Sequence, residues 1–299
     1  MRYHRLSALV AGAALALGLS GAAAAQEIVV GGKNFTEQQL MAEMTAQLLR
    51  DKGYEVEKRA GMGSAALRQA QENGQIDVYW EYTGTSLIVY NNVEDKLGPE
   101  ETYEKVKELD AEKGLVWLEP SAANNTYALA MQQADAEERG IQSLSDLAAK
   151  IEEGEDISFA LNAEFYARPD GWKPLQETYG FDVARDKINR MDSGLTYQAL
   201  NEDQVDVALV FATDGRIPAF DFKVLKDDKG YFPSYALTPV VRQEVLDANP
   251  ELADHLNELA STLDDQTMAQ LNASVDVEQK TVEEVAENYL NEQGLLEGC

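Results

Sequence analysis

Cysteine and histidine are nearly absent from this sequence of 299 residues, which contains one cysteine and two histidines. The cysteine is Cys299, so no intramolecular disulfide can form and stability must come from packing. His4 lies at the start of the chain, and only His255 remains, inside a helical pattern. A Ser-His-Asp triad or a histidine-rich zinc site is therefore not expected.

Basic residues are also scarce, since 25 lysines and arginines face 53 acidic residues and give a net charge of −28. Nucleic acids and anionic lipid surfaces need basic partners. The composition therefore argues against either as a partner.

Long apolar runs are confined to the first residues. Arg2 and Arg5 precede an apolar segment over residues 6–19, and small residues follow as far as Ala25. This order predicts a secretory signal peptide that is cleaved near Ala25, before Gln26. A membrane anchor would need a longer apolar span, and without a cysteine after the run there is no lipid attachment site. We expect an exported, soluble protein whose net charge after cleavage is −30.

One stretch of the chain occurs twice, 129 positions apart. Residues 75–85 read as a buried strand that ends at Tyr82 and turns at Thr83-Gly84-Thr85, and residues 204–214 repeat its pattern. The second copy places Phe211 where the first has Tyr82. The match is too short for a solenoid repeat. It favours two similar α/β lobes, each ending a strand with an aromatic ring at a shared cleft.

The order of predicted elements supports this interpretation. Strands and helices alternate from Glu27 to Tyr82 and again from Ser143 to Phe211, as in parallel sheets covered on both faces. No low-complexity linker separates the halves, which predicts a hinge made of close chain crossings. We predict a signal peptide over 1–25, a first lobe over 26–128 and 237–299, and a second lobe over 129–236.

Candidate functional side chains gather at the predicted strand ends. Each has an ordinary structural explanation by itself, because rings at strand ends usually pack in the core and an arginine can pair with one of many acids. The glycines 31 and 32 match neither the dinucleotide nor the P-loop pattern. They favour a tight turn that leaves Lys33 beside the cleft and helix amides close to a bound anion. The candidates are Lys33, Tyr82, Thr85, Tyr127, Arg168, Phe211 and Tyr235.

Several separated motifs resemble one known family, the substrate-binding proteins of ABC transporters for glycine betaine and related quaternary amines. The resemblance spans nearly the whole mature chain in the right order. It rests on residues 32–37, the Glu-Tyr-Thr-Gly-Thr core of residues 77–85, Arg168-Pro169-Asp170-Gly171, Thr213-Asp214-Gly215, and the segment from Phe232-Pro233 to Val241.

The resemblance implies a two-lobed, hinged α/β fold of the periplasmic-binding-protein type, the Venus flytrap. It also implies a periplasmic location, an inner-membrane ABC permease as partner, and a monomer without cofactor or metal. Its aromatic box would be Tyr82, Tyr127, Phe211 and Tyr235, and its carboxylate clamp would be Lys33, Thr85 and Arg168. The chain departs from the family at Phe211-Ala212, where a tyrosine is frequent, so one hydroxyl is lost and the choice of ligand is affected.

The physical chemistry of these residues suits such a ligand. A trimethylammonium group has no N–H to donate, and ring faces attract it by cation–π interaction worth about 1–2 kcal/mol for each desolvated ring. Four rings would supply about 4–8 kcal/mol before ordering costs, whereas micromolar affinity needs about 8 kcal/mol. A carboxylate clamp must supply the rest, and two cations in it favour a zwitterion over bare choline.

The sequence leaves other functions open. The ligand could be choline or another small zwitterion such as ergothioneine, and the same fold could serve a sensory module. An exported hydrolase or transferase is the competing enzyme hypothesis. The chain lacks a Gly-x-Ser-x-Gly elbow and any cluster of metal-ligand residues, so we expect no enzymatic activity.

Overall fold

The computed structural model describes residues 27–297, so the predicted signal peptide and Cys299 lie outside the described residues. The strands are β1 (Ile28–Lys33), β2 (Val56–Met62), β3 (Val78–Tyr82), β4 (Leu115–Trp117), β5 (Tyr127–Gln132), β6 (Phe159–Asn162), β7 (Ile188–Met191), β8 (Val207–Phe211), β9 (Phe222–Val224) and β10 (Leu237–Arg242). The helices are α1 (Thr36–Asp51), α2 (Ser64–Glu72), α3 (Thr83–Thr85), α4 (Pro99–Ala111), α5 (Gln133–Arg139), α6 (Leu144–Glu152), α7 (Ala163–Ala167), α8 (Trp172–Tyr179), α9 (Ser193–Asn201), α10 (Arg216–Ala219), α11 (Gln243–Ala248), α12 (Leu252–Ser261), α13 (Asp265–Asp276) and α14 (Val282–Glu292).

The strands form two sheets with the same architecture. The first has the order β2-β1-β3-β10-β4 and the second the order β7-β6-β8-β5-β9. In each, three parallel strands are followed by an antiparallel one, which is the first strand after a crossing between the lobes: β10 in the first sheet and β5 in the second. We call the sheets, with the helices that pack on them, the first and second lobe.

The repeated stretch found in the sequence has the same place in both lobes. It forms β3 in the first sheet and β8 in the second, in the third position of each. Asp77 accepts a hydrogen bond from the backbone N–H of Val29 at 2.8 Å, and Asp206 accepts one from the N–H of Ser158 at 2.7 Å. Each aspartate therefore ties its own strand to the start of the neighbouring parallel strand.

Glycine permits the close approach of β1 and α1. A Cβ atom on Gly32 would lie 2.9 Å from the carbonyl oxygen of Gln38 and from the Cβ of Ala42. The buried face of α1, with Leu40, Met41 and Met44, can therefore pack directly on the sheet. Gly32 therefore serves close strand–helix packing, a role that the sequence analysis did not assign to it.

The two lobes are joined by chain segments that run side by side. Asn124 and Ala236 form an antiparallel bridge, and Tyr235 donates its N–H to the side chain of Asn124 at 2.7 Å. The predicted first crossing at residue 128 is slightly late. Strand β5 pairs wholly within the second sheet, where Tyr127 lies opposite Phe211, so the chain has already crossed before Tyr127.

Helices in the described part of the chain are amphipathic rather than uniformly apolar. Over residues 27–297 no helix combines the length and the hydropathy that crossing a membrane requires.

Candidate functional site

All seven predicted site residues line one narrow cavity between the two lobes. Its volume is about 30 Å3, and its walls come from both sheets. The lining residues are Lys33, Asn34, Phe35, Ser64, Tyr82, Thr85, Asn125, Tyr127, Asn162, Glu164, Arg168, Ser193, Phe211 and Tyr235. The cavity has room for about two water-sized spheres, so a larger ligand enters only when the walls move apart. We therefore call this arrangement of the two lobes closed.

Sheet geometry explains why the aromatic residues meet. Tyr82 ends β3 and Phe211 ends β8, and the carboxyl ends of parallel strands form the edge where α/β proteins bind ligands. Tyr127 begins the antiparallel strand β5 and lies directly opposite Phe211. Tyr235 lies in the second crossing, with its ring edge-on to Tyr127 at a centroid distance of 5.6 Å.

Phe35 is a ring of this site that the sequence argument did not single out. It stacks on Phe211 with a centroid distance of 5.2 Å and an interplanar angle of 13°. The ring of Phe35 is also nearly parallel to that of Tyr82, with a centroid distance of 6.2 Å and an interplanar angle of 23°. Phe35 comes from the first lobe and Phe211 from the second, so this stack lies across the cleft. The signal was available, because Phe35 belongs to the motif of residues 32–37.

Arg168 is held in place by the chain that follows it. It caps α7 with extended backbone angles, as expected before a proline, and Gly171 permits the tight turn, since a Cβ there would lie 1.9 Å from the carbonyl of Phe165. The guanidinium donates two hydrogen bonds to Asp170, at 2.7 and 2.6 Å. Its remaining nitrogen, Nη1, lies 3.3 Å from the hydroxyl of Thr85 across the cleft.

The charge of Arg168 is secure in this setting. Burial acts to lower the pKa of Arg168, but the surrounding phenols and the Asp170 carboxylate raise it well above its ordinary value. The guanidinium also lies 5.2 Å from the ring centroid of Tyr127. Arg168 is therefore a permanent cation that belongs to the clamp and also lies close to the aromatic box.

Lys33 has its own carboxylate partner. Its ammonium group lies 2.5 Å from Oε1 of Glu81, and both side chains are buried. Glu81 also accepts hydrogen bonds from the hydroxyl of Tyr79 at 2.7 Å and the backbone N–H of Tyr82 at 2.8 Å. The ammonium lies 4.9 Å from the ring centroid of Tyr82.

These pairings correct the charge argument made from the sequence. In the sequence Lys33 and Arg168 count as two free cations, but Glu81 and Asp170 neutralise them, and Glu164 adds a further carboxylate 3.3 Å from Arg168. The residues come together as predicted, yet the clamp has no net positive charge. A preference for a zwitterion over a cation therefore does not follow from charge count alone.

Further contacts join the lobes around the cavity. At its edge, the hydroxyl of Ser64 donates to Glu164 at 2.9 Å. On the side of Phe35, Arg216 of the second lobe lies 3.3 Å from Asp276 on α13. Neither pair could be chosen from the sequence, where such polar residues are common.

Glu37 lies just behind the box and is buried. It follows Thr36 at the start of α1, where the helix dipole favours an anion. The hydroxyl of Tyr82 donates to its Oε1 at 2.7 Å, and the hydroxyl of Thr213 donates to its Oε2 at 2.5 Å. Burial raises the pKa of Glu37, although the hydrogen bonds it accepts act in the opposite direction.

The chain is similar to known proteins over most of its length. A family model described as the substrate binding domain of the ABC-type glycine betaine transport system matches residues 26–292. A protein of Pseudomonas aeruginosa named glycine-betaine-binding protein is 48% identical over 284 residues, which cover 93% of this chain and 91% of that protein.

Solved structures show the same likeness. The structure of apo YehZ from Escherichia coli is 34% identical, with a TM-score of 0.67, and the match covers 91% of this chain and all of that one. A structure titled as a glycine betaine/carnitine/choline ABC transporter is 28% identical, with a TM-score of 0.73, over 90% of this chain and all of that one. The predicted fold class and the family resemblance are both confirmed. The chain belongs to the family of substrate-binding domains of ABC-type glycine betaine transport systems.

Proposed function

We propose that the chain is the exported, solute-binding subunit of an ABC importer, and that it captures glycine betaine or a similar quaternary-ammonium zwitterion between two closing lobes. One observation carries the proposal. Residues predicted from separated motifs, from Lys33 to Tyr235, line a single cavity to which both lobes contribute rings.

The rings account for the ammonium end of the ligand. Tyr82, Tyr127, Phe211 and Tyr235 form the aromatic box, and Phe35 adds a ring between Tyr82 and Phe211. In the closed cleft these faces are withdrawn from water, which is the condition under which cation–π attraction is strongest. Because a quaternary ammonium group cannot donate a hydrogen bond, such a wall selects it against primary amines.

The clamp accounts for the carboxylate end. Arg168 Nη1 and the Thr85 hydroxyl face each other across the cleft and can both donate to one carboxylate. Lys33 lies at this end of the site but adds no net positive charge, because its ammonium group is paired with Glu81. A ligand that contacts Thr85 and Arg168 at once bridges the lobes and stabilises the closed state.

Choline is the second candidate, and the charge balance of the cavity favours it. The paired carboxylates Glu81 and Asp170 leave no net positive charge that would repel a bare cation. Choline would use the same rings and place its hydroxyl near Thr85.

The remaining functional assignments follow from this role. The first lobe, up to about residue 126 and from residue 237 onward, and the second lobe between them move about the crossings beside Asn124 and Ala236. The mature monomer acts in the periplasm, delivers its ligand to an inner-membrane ABC permease, and catalyses no reaction.

A methylation series tests the proposal. Affinity is measured by isothermal titration calorimetry for glycine betaine, dimethylglycine, sarcosine and glycine, which share a carboxylate and differ in N-methyl groups. We expect affinity to fall at each step as N–H groups replace methyl groups on the ring faces. Glycine binding as tightly as glycine betaine would contradict the proposal, and choline in the same experiment decides between the two candidates.

A further inference from the structure

Glu37 accepts hydrogen bonds from four separate segments of the chain. Besides Tyr82 at the end of β3 and Thr213 after β8, Asn125 in the first crossing donates to Oε1 at 2.8 Å. Asn272 on α13 lies 3.4 Å from Oε2 and donates to the backbone carbonyl of Thr213 at 2.9 Å. One carboxylate thus contacts the first lobe, the second lobe and the crossing between them.

Each oxygen of Glu37 lies near two of these partners, and the two hydroxyl donors are on different oxygens. Oε1 holds the hydroxyl of Tyr82, whose ring is part of the box, whereas Oε2 holds the hydroxyl of Thr213. Thr213 follows Phe211 by two residues, so the segment that brings Phe211 into the box also brings the donor to Glu37. When the second lobe moves away, Oε2 loses the hydroxyl of Thr213.

The dipole of α1 favours an anion at Glu37 but does not by itself offset burial of the charge, since the pKa of Glu37 is raised. Burying a charge is costly unless it is well paired, and an amide or apolar side chain usually fills such a space at lower cost. Among the described residues, the hydrogen-bond partners of the Glu37 carboxylate are neutral: one phenol, one alcohol and two amides. An anion with neutral donors from both lobes is suited to sensing whether the lobes are closed.

We propose that Glu37 is a positioning residue that couples closure of the second lobe to the orientation of Tyr82 in the aromatic box. The proposal rests on the proposed function, because it assumes that ligand binding closes the lobes. In the closed protein Thr213 and Tyr82 hold the same carboxylate, so each fixes the position of the other through Glu37.

The coupling has a proton-linked signature. Burial raises the pKa of Glu37 in the closed protein, and exposure after opening returns it toward its ordinary value. At pH values between the pKa of Glu37 in the open protein and its higher pKa in the closed protein, closing is therefore coupled to proton uptake by Glu37. Ligand affinity rises as the pH falls through this range and levels off below it. At pH above both values the affinity is independent of Glu37 protonation.

Other charged groups surround Glu37 and could contribute to a pH profile. They lie on the elements that pack against the start of α1: on β1 and β3, on the segment after β8, and on α13. These groups are Lys33, Glu81, the phenol of Tyr82, Asp214, Arg216 and Asp276. Burial also raises the pKa of Asp276, which pairs with Arg216 across the lobes, so Asp276 needs its own control.

The test measures choline and glycine betaine affinities by calorimetry from pH 4.5 upward, because choline has no group that titrates in this range. The variants are Thr213→Val, Thr213→Ser, Glu37→Gln and, as the control, Asp276→Asn. A hydrogen bond to a charged group predicts that Thr213→Val weakens binding of both ligands by about tenfold to a hundredfold. Thr213→Ser keeps the hydroxyl and restores binding to near the wild-type value.

The pH profile separates a coupling role from a merely structural one. We expect Glu37→Gln to abolish the rise in affinity toward low pH and Asp276→Asn to preserve it. Thr213→Val binding within twofold of wild type, or an unchanged pH profile in Glu37→Gln, would overturn the coupling. If the wild-type protein bound none of the quaternary amines, the proposed function itself would fail, which is a different outcome.

Discussion

Replacing Phe211 by leucine separates cation–π attraction from simple apolar contact. Phe211 is half-buried between Phe35 and Tyr127, with a centroid distance of 5.2 Å to each ring. Leucine keeps an apolar side chain of similar reach but removes one π-face from the box. A desolvated ring contributes about 1–2 kcal/mol to binding a cation, which corresponds to a loss of about fivefold to thirtyfold in affinity.

The informative assay compares choline with 3,3-dimethylbutanol, its uncharged carbon isostere, by competition against glycine betaine. Phe211→Leu should reduce choline affinity by the stated factor and change the affinity of the neutral isostere by less than twofold. Phe211→Tyr keeps the ring face and serves as the matched control. Equal losses for the charged and the neutral ligand would refute the reasoning, because the ring would then act only as apolar surface.

Three further predictions concern the clamp, the closure of the lobes and the stability of the first lobe. Arg168→Lys keeps a cation but loses the paired hydrogen bonds to Asp170 and the guanidinium nitrogen that faces the ligand. Calorimetry should therefore show about tenfold more loss of affinity for glycine betaine than for choline. Equal losses would contradict the clamp. A Cβ on Gly215 would lie 2.4 Å from the Cβ of Ala273 on α13, so Gly215→Ala should cost the closed state about 1–3 kcal/mol and weaken binding about fivefold to 150-fold. Small-angle scattering should show a more open protein, whereas the control Gly63→Ala, with open space around it, should behave like wild type. Asp110 is buried and accepts two hydrogen bonds from Arg68, at 2.9 and 2.6 Å, and Asp110→Asn should reduce the free energy of unfolding by about 3–5 kcal/mol in denaturant titrations.

The pH dependence of the Asp110 contribution has a definite sign. Burial acts to raise the pKa of Asp110, but hydrogen bonds and charge from Arg68 lower it well below the ordinary value. The stabilisation is therefore complete above the unfolded-state pKa of about 3.9 and is lost as the pH falls through the lowered value. If the wild-type protein and Asp110→Asn already had the same free energy of unfolding above pH 5, the assignment would be contradicted.

Local patterns were sufficient to predict the repeated strands and three of the four box rings at strand ends, whereas Tyr235 lies in the second crossing and Phe35 was missed. The repeat of residues 75–85 at 204–214 predicted two equivalent strands, and both occupy the third position of their sheets. A strand end fixes where a side chain enters the cleft, so Tyr82 and Phe211 could be placed from strand boundaries alone. Tyr127 could be placed because the antiparallel strand β5 begins with it.

The ion pairs of the clamp could not be predicted in the same way. Glu81 lies 48 positions from Lys33, and only the parallel pairing around β1 and β3 brings the two together. With 53 acidic residues in the chain, no single acid is distinguished by composition. Asp170 belongs to the Arg168-Pro169-Asp170-Gly171 motif, but its hydrogen bonds with Arg168 depend on the turn that Gly171 permits.

The role of Glu37 was hidden for a similar reason. In the sequence it is one more acid in the first turn of a helix, a position where acids are common. Its importance comes from donors at positions 82, 125, 213 and 272, which only the complete fold assembles. Membership of the motif of residues 32–37 marks Glu37 in the sequence, but partners spread over nearly 200 positions cannot be read from a local pattern.

The most direct test of the central claim is the thermal unfolding of the mature protein with and without ligand. At a ligand concentration of about 100 times Kd, binding stabilises the native state by about 2.7 kcal/mol, which for a chain of this size raises Tm by roughly 5 °C. We predict such a rise with glycine betaine or a close quaternary analogue and none with glycine at the same concentration. An unchanged Tm across glycine betaine, proline betaine, carnitine, choline and ergothioneine would contradict the claim that the rings of both lobes close on a quaternary ammonium group.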